Sequence, residues 1–192
     1  MYYNRVIKRL LDIILSLFFI FCFFWLFIII ILLIKIFSGS PVFFLQKRVG
    51  QFGQEFTLYK FRSMKINTRN IGTHELSGDE ITFIGKTIRR LKFDEFPQII
   101  NVLFGNMSFV GPRPSLTTQK TLIELRENLG ILSLKPGITG LAQIKKIDMS
   151  TPKFLSRIDQ IYLENQNLCF DLIIIFLTSV GKGFGDTINR KI

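Results

Sequence analysis

The 22 residues from Ile13 to Ile34 carry no charge, and no other feature of the chain restricts its fold as tightly. As a helix rising about 1.5 Å per residue the run reaches about 33 Å, enough to cross the hydrocarbon of a bilayer. It exceeds the roughly 7–15 apolar residues of a signal-peptide core, and no small-residue cleavage pattern accompanies it, so it is expected to stay with the protein. Arg5, Lys8 and Arg9 precede the run, while Lys35, Lys47, Arg48, Lys60, Arg62 and Lys65 follow it. A simple span would place one basic flank outside, against the positive-inside tendency, and the heavier second flank would keep the rest of the chain cytoplasmic. A helix that dips in and returns satisfies both flanks. The charges favour this re-entrant path by a small margin, although no Pro or Gly from Ile13 to Ile34 imposes a bend.

The remaining length suits one catalytic domain, so the chain divides into a membrane helix over residues 1–36 and a membrane-associated domain over 37–192. With 25 Lys+Arg against 14 Asp+Glu the formal charge is +11, which suits nucleic acid, anionic lipid or phosphorylated substrates. A hydrophobic content of 48% with 21 Phe argues against nucleic acid and for membrane and phosphate. Cys22 and Cys169 have no metal-ligand spacing and read as buried apolar residues; His74 reads as part of a surface loop.

After a turn at Phe37–Pro41, the stretches Val42–Leu45 and Phe56–Tyr59 have the β-branched and aromatic content of a hairpin. Asn67 to Glu80 reads as a polar loop and Phe83 to Leu91 as a helix carrying Lys86, Arg89 and Arg90. A second helix is expected to start at Asp94, a good N-cap followed by Phe96, Ile99, Ile100 and Leu103. Gly111–Pro114 breaks regular structure, Leu116 to Glu127 resumes as helix, and Lys135–Gly140 forms a further loop. Leu168 to Val180 is apolar but too short to span, and suits an interfacial or core-packed helix.

Two adjacent carboxylates, Asp94 and Glu95, at a helix start would repel a diphosphate unless a divalent cation lies between them. Mg²⁺ binds in this way, through one or two carboxylates plus phosphate oxygens. An ionised Asp can then attack phosphorus, with Arg89, Lys92 and Arg113 balancing the charge on the phosphoryl oxygens. From spacing alone, the pair reads first as an N-cap with a first-turn Glu, and Arg89 and Arg90 as a solvated or lipid-facing basic helix face.

The run FDEFPQIINVLFGNMSFVGPRP resembles the signature of the small monotopic phosphoglycosyl transferases among the bacterial sugar transferases. KRLLDIIL and YKFRSM upstream, and KPGITGLAQI and RIDQIYLENQNLCFDL downstream, keep that family's order. Phe24–Trp25 stands where the family commonly has Ser-Pro, Asn106 where it usually has Asp, and Leu141 where Trp is common.

The resemblance implies an α+β fold, mainly helical with a small β-hairpin, an N-terminal membrane helix and interfacial amphipathic helices. It implies an enzyme at the cytoplasmic face of the bacterial inner membrane, transferring a phosphosugar from a UDP-sugar to polyprenyl (undecaprenyl) phosphate with release of UMP. Asp94 would be nucleophile and Mg²⁺ ligand, and Glu95 an acid/base or positioning group. Lys60, Arg62, Arg89 and Arg113 would contact substrate. Membrane lipid is the further partner, nucleic acid is not, and homo-oligomer formation stays open. The rival reading is a non-catalytic assembly protein held on anionic lipid.

Overall fold

The computed structural model describes residues 5–66, 68 and 80–181. His74 and most of the expected polar loop lie outside them. Helix α1 runs unbroken from Arg5 to Ser38, through Phe24–Trp25. Two stripes at helical spacing divide its surface. Asp12, Ser16, Phe19, Phe23, Phe27, Ile30 and Ile34 face the rest of the protein, whereas Ile14, Phe18, Phe21, Trp25, Ile29 and Ile36 stand exposed. A continuous apolar face of this kind is what a lipid-facing helix presents.

The inner stripe is anchored at both ends. Near the start, Arg9 donates to the carbonyls of Val102 and Leu103 (2.6 and 2.7 Å), and Asp12 accepts from the Ser108 hydroxyl and the Phe109 amide (3.0 Å each). Near the end, Ile30 and Ile34 pack in one cluster with Phe61 and Ile88. Both ends of α1 therefore touch the same body.

The expected hairpin forms as β1 (Phe43–Val49) and β2 (Glu55–Phe61), antiparallel, with Gln46 opposite Leu58. Fully buried Asn101 closes part of the free edge of β2, accepting from the Tyr59 amide and donating to the Thr57 carbonyl (3.1 and 2.7 Å). Next come α2 (Phe83–Arg90) and α3 (Gln98–Leu103), joined through a 3₁₀ turn at Phe93–Glu95. β3 (Ser108–Val110) and β4 (Gly137–Thr139) form a short parallel pair, so part of the expected Lys135–Gly140 loop is strand. This pairing links residues far apart in sequence, which composition does not announce.

Between those strands α4 (Lys120–Asn128) starts later than Leu116. A one-turn helix α5 (Leu141–Ile144) and the longer α6 (Pro152–Asn165) and α7 (Leu168–Ser179) complete the chain. Val110, Leu122, Leu155, Tyr162 and Ile174 form the core among these elements. α7 turns Asp171 and Ile174 inward and leaves Leu172, Ile173 and Phe176 exposed, so one face packs on the core and the other is an open apolar face. Cys22 and Cys169 are both exposed, contrary to expectation, because each lies on an outward face of its apolar helix rather than in the core.

Candidate active site

The approach to Asp94 is built by a reversal of the backbone. Lys92 takes a left-handed conformation (φ 60°), which ends α2 and turns the chain into the Phe93–Glu95 3₁₀ turn. Asp94 is therefore not the N-cap expected from sequence: α3 begins at Gln98, after Pro97, and Asp94 sits inside the preceding turn. Phe93 and Phe96 pack inward on either side, with Phe96 meeting Phe19 and Phe23 of α1 (6.1 and 5.7 Å between ring centres). Around the two carboxyl groups, which also face each other, stand Lys60, Arg89, Lys92 and Arg113.

Glu95 is held on two sides. Lys60 of β2 donates to its Oε1 at 3.0 Å, and Arg113, from the Gly111–Pro114 stretch, donates to the same oxygen at 3.2 Å. Burial works against ionisation of Glu95, but Lys60, then Arg113 and Lys92, hold it well below the usual carboxylate range. Asp94 is 5% exposed, and its carboxyl is raised by burial first and by the Glu95 charge second, with Lys60, Arg89 and Lys92 opposing. Among the described residues none hydrogen-bonds the Asp94 side chain. One acid is thus a fixed anion, and the other keeps its oxygens for something else.

Asp94, Glu95, Lys60, Arg89 and Arg113 come together as the sequence suggested. Arg89 also reaches the Ser63 hydroxyl (3.5 Å). Arg62 does not join them. Its guanidinium is turned to the end of α1, where Nη2 donates to the carbonyls of Ser38 and Gly39, and its Nε and Nη1 are buried with no partner. It caps the last turn of α1, a helix end where a cation is favoured.

The site has a foundation that was not anticipated. Buried Arg126 of α4 donates through Nε and Nη2 to Asp159 of α6 (3.0 and 2.7 Å) and through Nη1 to the Arg113 backbone carbonyl (2.8 Å). A signal for it existed: Arg126 follows Leu122 by four residues, and Asp159 lies between Leu155 and Tyr162, each charge on an apolar helical stripe.

A family model described as "Bacterial sugar transferase" matches residues 3–183. The chain belongs to the bacterial sugar transferase family. It is 38% identical over 175 residues to the sugar transferase EpsL of Bacillus subtilis (strain 168), covering 90% of this chain and 85% of that one. It is also 38% identical over 195 residues to the UDP-glucose:undecaprenyl-phosphate glucose-1-phosphate transferase of Escherichia coli (strain K12), and 39% identical over 165 residues to the UDP-N-acetylgalactosamine-undecaprenyl-phosphate N-acetylgalactosaminephosphotransferase of Aeromonas hydrophila. These alignments take in 94% and 80% of this sugar transferase but only 41% and 38% of those longer proteins.

Proposed function

We propose that this sugar transferase moves a phosphosugar from a UDP-sugar to undecaprenyl phosphate, through a covalent intermediate on Asp94. Relatives named for this reaction support the overall transfer. The observation that carries the mechanism is the division of labour in the buried pair: Glu95 is locked by Lys60 and Arg113, while the Asp94 carboxylate has no protein hydrogen-bond partner among the described residues. An Asp94 oxygen forms a bond to the β-phosphorus as the bond from that phosphorus to the α-phosphate oxygen breaks, and UMP leaves with the electron pair. A phosphate oxygen of undecaprenyl phosphate then attacks the same phosphorus, releasing the Asp94 carboxylate and leaving a lipid diphosphosugar.

Glu95, kept anionic by two cations, is in no state to donate a proton near neutrality, so it serves as a positioning group. It fixes Lys60 and Arg113 where the phosphoryl oxygens need positive charge. The site suits Mg²⁺ bound by one carboxylate and the diphosphate: Asp94 offers unengaged oxygens, and the described residues hold no group of three acidic, His or Cys ligands for a dedicated cage. The ion would supply neutralisation of diphosphate charge.

The two apolar faces, on α1 and α7, support seating in the lipid interface. Both ends of α1 meeting one body support a helix whose flanks share one side of the inner membrane, the cytoplasmic side by the positive-inside tendency. Purified protein with Mg²⁺, undecaprenyl phosphate and a panel of UDP-sugars tests the reaction. UMP release by the wild type and none by Asp94→Asn, with membrane association intact in both, is the expected result. Release by Asp94→Asn would refute the nucleophile, and no release from any donor would favour a non-catalytic lipid-binding protein.

A further inference from the structure

Beside the start of α1, well away from Asp94, lies a cleft of about 650 Å³. Arg9, which lines it, precedes Phe23, the residue packed on Phe96, by 14 positions, or about 21 Å along the helix. Arg5, Lys8, Arg9 and Lys135 contribute basic groups to the lining, and Asp12 and Glu164 acidic ones. The charges are not matched. Lys8 is paired with Asp171, and the Oδ1 of Asp12 is committed to Ser108 and Phe109. Glu164 accepts from Gln160 on the exposed side of α6.

Arg5, Arg9 and Lys135 remain. The Arg9 guanidinium donates to the neutral carbonyls of Val102 and Leu103, and Asp12, which acts on Lys8 and Lys135 as well, is the carboxylate that opposes its charge. The Lys135 ammonium makes no hydrogen bond or ion pair with a described residue. Both lie against Gly105: a Cβ there would meet Lys135 Nζ at 3.4 Å and Arg9 Nη2 at 3.5 Å. Burial and then the Arg9 charge lower the Lys135 pKa, with Asp12 opposing. Lys135 held near Arg9, in a cleft lined by four basic and two acidic side chains, makes a receptor for an anion. Exposed Phe52 lines the cleft, and on α1 the exposed Val6, Leu10 and Ile14 follow the lining residues Arg5, Arg9 and Asp12 in sequence.

We propose that this cleft is a second anion site, which binds the phosphate of an anionic phospholipid headgroup while the acyl chains lie along the exposed face of α1. It is separate from the reaction centre and independent of the reaction proposed there. Recognition rests on the phosphate, and the apolar surroundings select a lipid as its source.

The test titrates the full-length protein in neutral detergent, by calorimetry, with dioctanoyl phosphatidylglycerol, dioctanoyl phosphatidylcholine and inorganic phosphate. Phosphatidylglycerol is expected to bind, with phosphatidylcholine weaker, and Lys135→Gln to lower the phosphatidylglycerol affinity about fivefold, as fits the loss of one cation at a lipid headgroup. Asp94→Asn should bind it like the wild type. Lys135 has no hydrogen-bond partner among the described residues, and burial and Arg9 outweigh Asp12 in opposing its charge, so Lys135→Gln should unfold in detergent at an unchanged or higher temperature, which a structural role for this lysine would not allow. Equal affinity of Lys135→Gln and wild type for phosphatidylglycerol would overturn the site. Inorganic phosphate binding as tightly as phosphatidylglycerol, and losing as much on Lys135→Gln, would overturn the lipid source.

Discussion

The buried Arg126–Asp159 pair offers a way to separate the stability of the fold from the placement of Arg113. Asp159→Asn leaves the Arg126 guanidinium, whose side chain is 3% exposed, without a counter-charge. Removing one member of such a pair costs about 3–5 kcal/mol. For a protein of this size that corresponds to a fall of about 6–20 °C in the unfolding temperature. The double change Arg126→Met with Asp159→Leu removes both charges, and replacing a buried pair by apolar groups of similar volume is close to neutral, so most of that loss should return. The Arg113 carbonyl, however, still loses its donor at 2.8 Å. A displacement of Arg113 on the order of 1 Å is enough to slow turnover about 10²-fold. Thermal unfolding in detergent and UMP release, measured on both variants, give the two readings. Wild-type turnover in the double variant would refute the link from Arg126 to the site, and an unchanged unfolding temperature for Asp159→Asn would refute the energetics.

Glu95→Gln is expected to lower UMP release about 10²-fold or more, because Lys60 and Arg113 lose their shared anion; Glu95→Asp, with a shorter reach to the same two cations, should recover part of it, and initial rates over a range of UDP-sugar concentrations decide this. Stability should also respond to pH through Lys135. Its pKa is lowered in the folded protein, so the unfolded chain binds that proton more tightly; the contribution of this lysine is complete above about 10.5 and lost as pH falls through the lowered value. Unfolding temperatures of wild type minus those of Lys135→Gln should therefore rise as pH climbs toward that range, and a flat difference would contradict the sign.

What could be read from the sequence was local. The hairpin declared itself through aromatic and β-branched runs on either side of a Gly-rich turn, and α2 through its spacing, because each depends on neighbours within a few residues. The members of the candidate site were also legible, since Asp94, Glu95, Arg89 and Arg113 lie within one short stretch. Their geometry was not. Asp94 looked like a helix start because Asp, Pro97 and the apolar spacing all fit one, and only the left-handed Lys92 moves it into a 3₁₀ turn. Arg62 looked like a substrate ligand by its company in YKFRSM, but tertiary packing sends it to the end of α1. The Lys8–Asp171 and Arg126–Asp159 pairs join positions 163 and 33 residues apart, distances over which local pattern carries no information.

The double anchorage of α1 changes what the first 38 residues are for. Trimming them away to obtain a water-soluble enzyme would strip Phe27, Ile30 and Ile34 from the cluster around Phe61, and remove Asp12 from β3 and Arg9 from the end of α3. The chemistry is thus seated on a keel rather than tethered to a mooring, and cutting the keel is expected to sink the hull with it.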